Sequence, residues 1–192
     1  MNDNPTRCLV ILAGGQSRRM GQDKATIALG GERMIDRLIA RYNTSVDRII
    51  LSSPHDFGTG LDFITDDPNA PGGPVGAIFT LATAFAGRCP DVAGFMTAPV
   101  DAPFAPIDLI KRMNARQGCA VASGPDRLHP TFARWDCNMV DTVRRSHNIE
   151  DAAPSLQWLA RQCDATIVEW PDEQSFMNIN TPEDLFVAEK LA

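Results

Sequence analysis

Positive charge is in short supply. The chain carries 18 lysines and arginines against 24 aspartates and glutamates, a net charge of -6 over 192 residues. Nothing broadly positive is left to attract a phosphate backbone or an anionic bilayer, so nucleic acid and membrane are read as excluded partners. Histidine is scarce too, with 3 scattered copies and no metal-ligand spacing among them. No Ser-His-Asp or Cys-His arrangement stands out, and covalent catalysis is not signalled. The 5 cysteines, Cys8, Cys89, Cys119, Cys137 and Cys163, are odd in number and include no C-x-x-C pair. A zinc ribbon and a disulfide framework are thereby excluded, and the thiols are read as reduced, structural groups of a cytoplasmic protein. No apolar run approaches membrane-spanning length, and the polar start MNDNPTR lacks the apolar core of a signal peptide. Repeats, low-complexity tracts and linkers are missing as well, so residues 1–192 are read as one domain.

What is present is an alternation. Cys8 to Ala13, Arg48 to Ser53, Phe63-Ile64, Val92 to Ala98, Cys119 to Ser123 and Thr166 to Trp170 read as strands, the central ones apolar almost throughout. Such runs suit parallel strands covered on both faces. His129 to Trp135 reads as an extra, antiparallel strand. Between the runs, Ile35, Leu38, Ile39 and Tyr42 share a helical face, as do Ile78, Leu81, Ala82 and Phe85. Pro74 and Pro106 mark first helical turns, and Thr181-Pro182-Glu183-Asp184 is a capped helix start with acids at the positive end of the dipole. The pattern predicts an α/β fold, a three-layer αβα sandwich around a mostly parallel sheet. Ligands in such folds bind at the carboxyl ends of the strands. Polar residues collect there: the glycine loop after Leu12, Ser52-Ser53, Asp66-Asp67 and Asp101.

The loop LAGGQSRRMGQDK, Leu12 to Lys24, follows the first strand. It is not a Walker A loop, because its lysine comes too late after Gly21, and it contains no G-x-G. The residue chemistry survives both failures. Gly14 and Gly15 let backbone pass close to a base or phosphate, and Arg18, Arg19 and Lys24 supply cations for a triphosphate. The plain alternative is a strand-to-helix turn with solvated charges. Asp101, between Pro99 and Pro103 in PVDAP, either caps the next helix or holds a carboxylate ready for a hard cation such as Mg²⁺. Gly72-Gly73-Pro74-Val75-Gly76 is either an anion-binding helix start or a flexible loop. Asp66 and Asp67 cap, turn, or accept hydrogen bonds from a base. Asn178 and Asn180 are turn formers or neutral oxygen ligands. His129, followed by a proline, is by default a partly buried histidine.

Taken together, L-A-G-G-x-S-x-R-M-G-x-D-K, G-G-P-x-G, P-x-D-x-P-F and N-x-N-T-P-E-D-L resemble the molybdenum cofactor guanylyltransferases, in the nucleotidyltransferase superfamily with its Rossmann-like fold. The resemblance spans nearly the whole chain. The L-A-G-G form is similar to guanylyl-transferring members, whereas cytidylyl-transferring relatives usually carry L-A-A-G. It implies transfer of GMP from GTP to molybdenum-molybdopterin with release of pyrophosphate. Leu12, Ala13, Gly14 and Gly15 would hold the nucleotide by backbone, Lys24, Arg18 and Arg19 would bind phosphates, and Asp66 would contact the guanine base. Lys24, Arg19 and Asp101 would be the catalytic set, with Asp101, and more weakly Asn180, as ligands of Mg²⁺. Gly73, Pro74, His129, Asn178 and Asn180 are the pterin-side candidates. One departure is visible: where the family commonly has an asparagine after the second strand, this chain has Ser52-Ser53, and Ser52 is assigned to the nucleotide in its place. Partners implied are GTP, molybdenum-molybdopterin and molybdoenzyme-maturation proteins. The rival readings are a cytidylyltransferase acting on the same pterin, a nucleotidyltransferase for sugar phosphates, and a catalytically silent cofactor carrier.

Overall fold

A computed structural model of the chain describes residues 6–14, 23–89, 91–147 and 154–192. Strands β1 (Cys8–Leu12), β4 (Arg48–Ser52), β5 (Phe63–Ile64), β6 (Gly94–Pro99), β7 (Ala120–Ser123), β8 (Leu128–Asp136) and β9 (Thr166–Glu169) form one 7-stranded sheet in the order β5-β4-β1-β6-β8-β7-β9. All run parallel except β8, which pairs antiparallel with both β6 and β7. A short hairpin, β2 (Ala28–Leu29) and β3 (Glu32–Arg33), stands apart from it.

Helices cover both faces because the central strands are apolar on both. Leu9 and Ile11 of β1 join a core with α1 (Met34–Tyr42) and α3 (Leu109–Asn114). Cys8 and Val10, which alternate with them, face α2 (Pro74–Arg88), α4 (Cys137–Ser146) and α5 (Leu156–Gln162). The expected helical faces are the buried ones: Ile35, Leu38 and Tyr42 on α1, and Ile78, Leu81, Ala82 and Phe85 on α2. β8 satisfies its one indole inside the sheet, Trp135 donating from Nε1 to the Thr97 hydroxyl over 3.2 Å. All five cysteines are free thiols, and burial pushes Cys8 up to about 12 and Cys137 up to about 11, which keeps both inert near neutrality. Among the described residues no helix is long and apolar enough to cross a membrane.

One expected helix start is displaced. Pro106 does not open α3; the helix begins at Leu109, after Asp108. The Pro106 carbonyl closes a turn instead, accepting from the Leu109 amide (3.0 Å) and from the buried Tyr42 hydroxyl (2.9 Å). Proline at this point fixes φ for the turn rather than for the first helical residue.

Chain order makes β1 the pivot of the sheet. From β1 the chain builds outward through β4 and β5, then crosses back to lay β6 on the other side. This is a topological switch point, where parallel neighbours leave a crevice at their carboxyl ends. The segments that follow β1 and β6 flank that crevice.

A third apolar cluster lies outside the sheet cores. Ile27, Leu29, Met34, Ile179 and Ala188 are buried together, with Phe104, Met177 and Leu185 packed against them. It joins the hairpin to α6 (Pro182–Glu189) and to the segment before α6. Full burial of Ile27, Leu29, Met34 and Ile179 contributes roughly 1.5–3 kcal/mol apiece. That is small beside the two sheet cores.

Candidate functional site

Three of the named side chains meet. Lys24 Nζ donates to Asp101 Oδ2 over 2.6 Å and to Asn180 Oδ1 over 2.5 Å. Each arrives by a different route. Lys24 opens a short 3₁₀ turn, Lys24–Thr26, whose Ala25 amide is capped by the Asp23 carboxylate at 3.2 Å. Asp101 follows β6, just after Val100, whose amide bonds back to the Leu12 carbonyl at 3.0 Å. Asn180 lies on the segment that crosses the end of β6, where the Ile179 amide donates to the Asp101 carbonyl over 2.7 Å. The Lys24–Asp101 pair is largely enclosed, with side-chain exposures of 19% and 16%. Water screens such a pair poorly, so its charges act strongly on whatever enters.

Two hard oxygens, one anionic and one neutral, thus converge on a single positive centre. That donor set suits a divalent hard cation, which typically takes only one or two protein oxygens and shares the rest with phosphate and water. Asp101 and Asn180 therefore fit Mg²⁺. No cluster of three or more histidine, cysteine or acidic side chains suited to a metal occurs among the described residues. The fit rests on this one carboxylate and its amide neighbour.

The side of the crevice beyond β1 is built differently. The Leu12 carbonyl and the Ala13 amide are already bonded, to Val100 and to the Ser52 carbonyl (2.9 Å), because both continue the parallel ladder. Gly14 is the described residue of the loop that opens to solvent. Its φ lies outside the left-handed region, and an added Cβ would meet only the Ser52 carbonyl oxygen at 3.5 Å, Asp66 Oδ2 at 3.9 Å and the Ser53 Cα at 4.0 Å. Among the described residues, neither conformation nor internal packing demands glycine there. A Cβ would sit in ordinary contact beside the Asp66 carboxylate. Partial enclosure pushes that carboxyl up from its ordinary value. Gly15, Arg18 and Arg19 lie outside the described residues.

The paired aspartates separate in role. Asp67 closes a turn, Oδ1 accepting from the Asn69 amide at 2.9 Å and from its side-chain nitrogen at 3.1 Å. Asp66 alone faces Gly14. The serines also divide: Ser53 donates its hydroxyl to the His55 carbonyl (2.6 Å), while Ser52 is buried and lends its carbonyl to Ala13. Gly73 caps α2 at φ 84°, a left-handed value that suits glycine, and Pro74 occupies the first turn. In the same turn Gly76 has no room for a side chain, since a Cβ would lie 1.9 Å from the Pro71 carbonyl oxygen.

Asn178 lies on the segment leading to Asn180, and His129 of β8 packs against that segment. Asn178 Oδ1 is enclosed and has no hydrogen-bond partner among the described residues. His129, 7% exposed, stacks on Phe176 with ring centroids 4.3 Å apart. Its Nε2 lies 2.8 Å from Glu173 Oε1 without the alignment of a hydrogen bond, and burial pushes the imidazole pKa down. A cleft of about 1030 Å³ runs along α2, lined by Phe63, Asp67, Asn69, Phe79 and His147 among others. Its lining includes none of Lys24, Asp101 and Asn180, so the charged cluster lies apart from this cleft.

One participant escapes sequence reading. Asp184, expected only as an acid at a helix start, reaches back so that Oδ2 accepts from the amides of Asn180 and Thr181, both at 2.9 Å. Thr181 Oγ1 accepts in turn from the Asp184 amide at 3.1 Å, completing a capping box. The Asn180 amide is the first cause that holds the Asp184 carboxyl below its ordinary value, and the Lys24 charge adds to it. The Thr-x-x-Asp spacing was the available signal.

Comparison with known proteins matches residues 9–169 to the MobA-like NTP transferase domain. A molybdenum cofactor guanylyltransferase of Rhodopseudomonas palustris (strain BisB5) is 34% identical over 204 residues, covering 100% of this chain and 97% of that protein. A protein of the same description from Mesorhizobium japonicum is 35% identical, over 95% of this chain and 94% of its own length. Among solved structures, molybdopterin-guanine dinucleotide biosynthesis protein A from Archaeoglobus fulgidus superposes with a TM-score of 0.71 at 21% identity, covering 96% of this chain and 97% of its own. That last likeness concerns the fold.

Proposed function

The chain belongs to the MobA-like NTP transferase family and is a nucleotidyltransferase, and on that premise we propose that it transfers GMP from GTP to the phosphate of molybdenum-molybdopterin. The observation that carries this reading is the meeting of Lys24, Asp101 and Asn180 beside the open Gly14 floor. A phosphate oxygen of the pterin attacks the α-phosphorus of GTP, the bond from that phosphorus to the bridging oxygen breaks, and pyrophosphate leaves. Both reactants are anions, so neutralisation and in-line positioning are the main tasks. The attacking phosphate is already ionised at neutral pH and needs no general base, which suits a site without a catalytic histidine.

Lys24 supplies an enclosed positive charge to the phosphates of the nucleotide. Asp101 and Asn180 would hold Mg²⁺, which when bound offsets phosphate charge as a Lewis acid. Gly14 leaves room for the nucleoside, and Asp66 accepts from N1–H and the exocyclic amine of guanine, a pair of donors that cytosine lacks. Gly15, Arg18 and Arg19 join the triphosphate side by family resemblance, and Ser52 stands in for the family asparagine. On the pterin side, Asn178 offers an acceptor without a partner among the described residues, next to Asn180, with His129, Gly73 and Pro74 as further contacts. We place the reaction in the cytoplasm, where thiols such as the buried ones here stay reduced. Handover of the product to molybdoenzyme-maturation proteins belongs to the same proposal.

The test is turnover with GTP and CTP side by side, each with loaded pterin and Mg²⁺, scored by pyrophosphate release. GTP alone should react, and GTP alone should raise the melting temperature at micromolar concentration. Reaction with CTP would move the chain to the cytidylyl-transferring branch. Binding without any turnover would make it a carrier.

A further inference from the structure

We propose that Asp184 is a positioning residue for nucleotidyl transfer, aiming Asn180 at Lys24 through the backbone that carries it. The proposal deepens the reading above and rests on it. Three consecutive amides of the crossing segment are held. Ile179 donates to the Asp101 carbonyl at 2.7 Å, while Asn180 and Thr181 both donate to Asp184 Oδ2 at 2.9 Å. Ile179 is also fully buried in the third apolar cluster, so its position cannot drift. With the backbone pinned on both sides of its Cα, Asn180 keeps only its side-chain torsions free. Its Oδ1 is then delivered to Lys24 Nζ, the atom that Asp101 also holds.

A capping box by itself predicts something plainer, namely a better start for α6. The two roles separate because the box has two halves. The Thr181 hydroxyl accepts from the Asp184 amide, inside the helix, and its side chain also meets the Asp184 carboxylate. The Asp184 carboxylate accepts from the amides before the helix, those of Asn180 and Thr181, so it alone of the two halves holds the Asn180 backbone. Removing either half costs helix stability of similar size, but only the second half aims the site. Loss of one oxygen at the focus of a phosphoryl-transfer site by misplacement of about 1 Å is enough to slow turnover about 10²-fold.

The experiment compares Asp184→Ala, Asp184→Glu and Thr181→Ala in the full chain, by steady-state kinetics with GTP and by hydrogen exchange at the Asn180 amide. Asp184→Ala should lower kcat about 10–100-fold with KM for GTP nearly unchanged, because the nucleotide floor lies across the crevice. Asp184→Glu, the usual reach-back residue of a capping box, should restore most of that loss. Thr181→Ala should keep wild-type kcat while losing as much melting temperature as Asp184→Ala. Exchange at Asn180 should accelerate in Asp184→Ala and stay slow in Thr181→Ala. Should Asp184→Ala fail to fold, Asp184→Asn takes its place in both measurements. Equal kinetic losses in the alanine variants, tracking melting temperature, would overturn the proposal, as would unaltered Asn180 exchange in Asp184→Ala. A wild-type chain without pyrophosphate release would sink the transferase reading, and the exchange comparison would still decide the positioning.

Discussion

The two flanks of the crevice lie at the ends of neighbouring strands, β1 and β6, and are built in opposite ways. Among the described residues, Gly14 is exposed and faces backbone and one carboxylate, Asp66. Around Lys24 the chain presents three side chains locked together and an apolar cluster that holds two of their carriers. The difference follows from what each flank handles. On the proposed reading, a flat base and a ribose are accommodated by leaving room, so stability and recognition are only weakly linked there. On the same reading, nucleotidyl transfer between two anions needs fixed counter-charges, so on the β6 flank structure and activity are tied to the same atoms.

The strongest break is Asp101→Ala. Turnover should fall by about 10³-fold or more, because the proposed anionic ligand of the cation is lost together with one of the partners of Lys24. The sheet should persist, with a cost of about 1–3 kcal/mol for an ion pair that is neither exposed nor fully buried. Near-normal pyrophosphate release in this variant would remove Asp101 from the mechanism.

Ile179→Ala attacks the same flank through packing alone. Truncating a fully buried isoleucine should cost about 2–4 kcal/mol, borne by the third cluster rather than the sheet. In a urea titration, activity should then vanish at lower denaturant than the far-ultraviolet circular dichroism signal. Coincident transitions would show that the cluster does not open separately.

On the other flank the expected pattern reverses. Gly14→Ala should leave the melting temperature within about 1 °C, since the added methyl meets only ordinary contacts, yet weaken GTP binding about 10-fold. Gly76→Ala is its mirror image: a large drop in melting temperature, because the methyl collides with the Pro71 carbonyl. If Gly14→Ala destabilises and leaves GTP binding intact, the floor is structural after all.

The smallest effect is a pH dependence. Enclosure raises the Asp66 carboxyl, so its ionised form works slightly against folding once the pH exceeds the group's ordinary value. In the proposed contact, guanine needs that ionised form. GTP affinity should therefore be complete near neutrality and fall several-fold on acidification through the raised value, before ordinary carboxylates protonate. Calorimetric titration of wild type against Asp66→Asn checks this, since the asparagine variant should bind weakly at every pH.

Legibility in the sequence follows the range of the interaction. β1, β4 and β6 were readable because burial on both faces writes an uninterrupted apolar run, and β8 because its run lies between turn residues. The start of α6 was readable because capping is a matter of neighbouring residues. The misplaced start at Pro106 shows the limit, since a proline suits a turn and a first helical residue equally well, and the Tyr42 hydroxyl that settles the matter comes from 64 residues away. Lys24, Asp101 and Asn180 each looked chemical in isolation, and motif resemblance grouped them.

What the sequence determined by itself was the class of fold and the family, because periodicity and motif spacing are local records of burial and chemistry. What only the tertiary structure decided was that one ammonium joins residues 77 and 156 positions away, that a small apolar cluster separate from the sheet holds the segments carrying Lys24 and Asn180, and that Asp184 turns back onto the amide of Asn180. These depend on where several segments cross, and that is set by the packing of the whole chain rather than by any stretch of it.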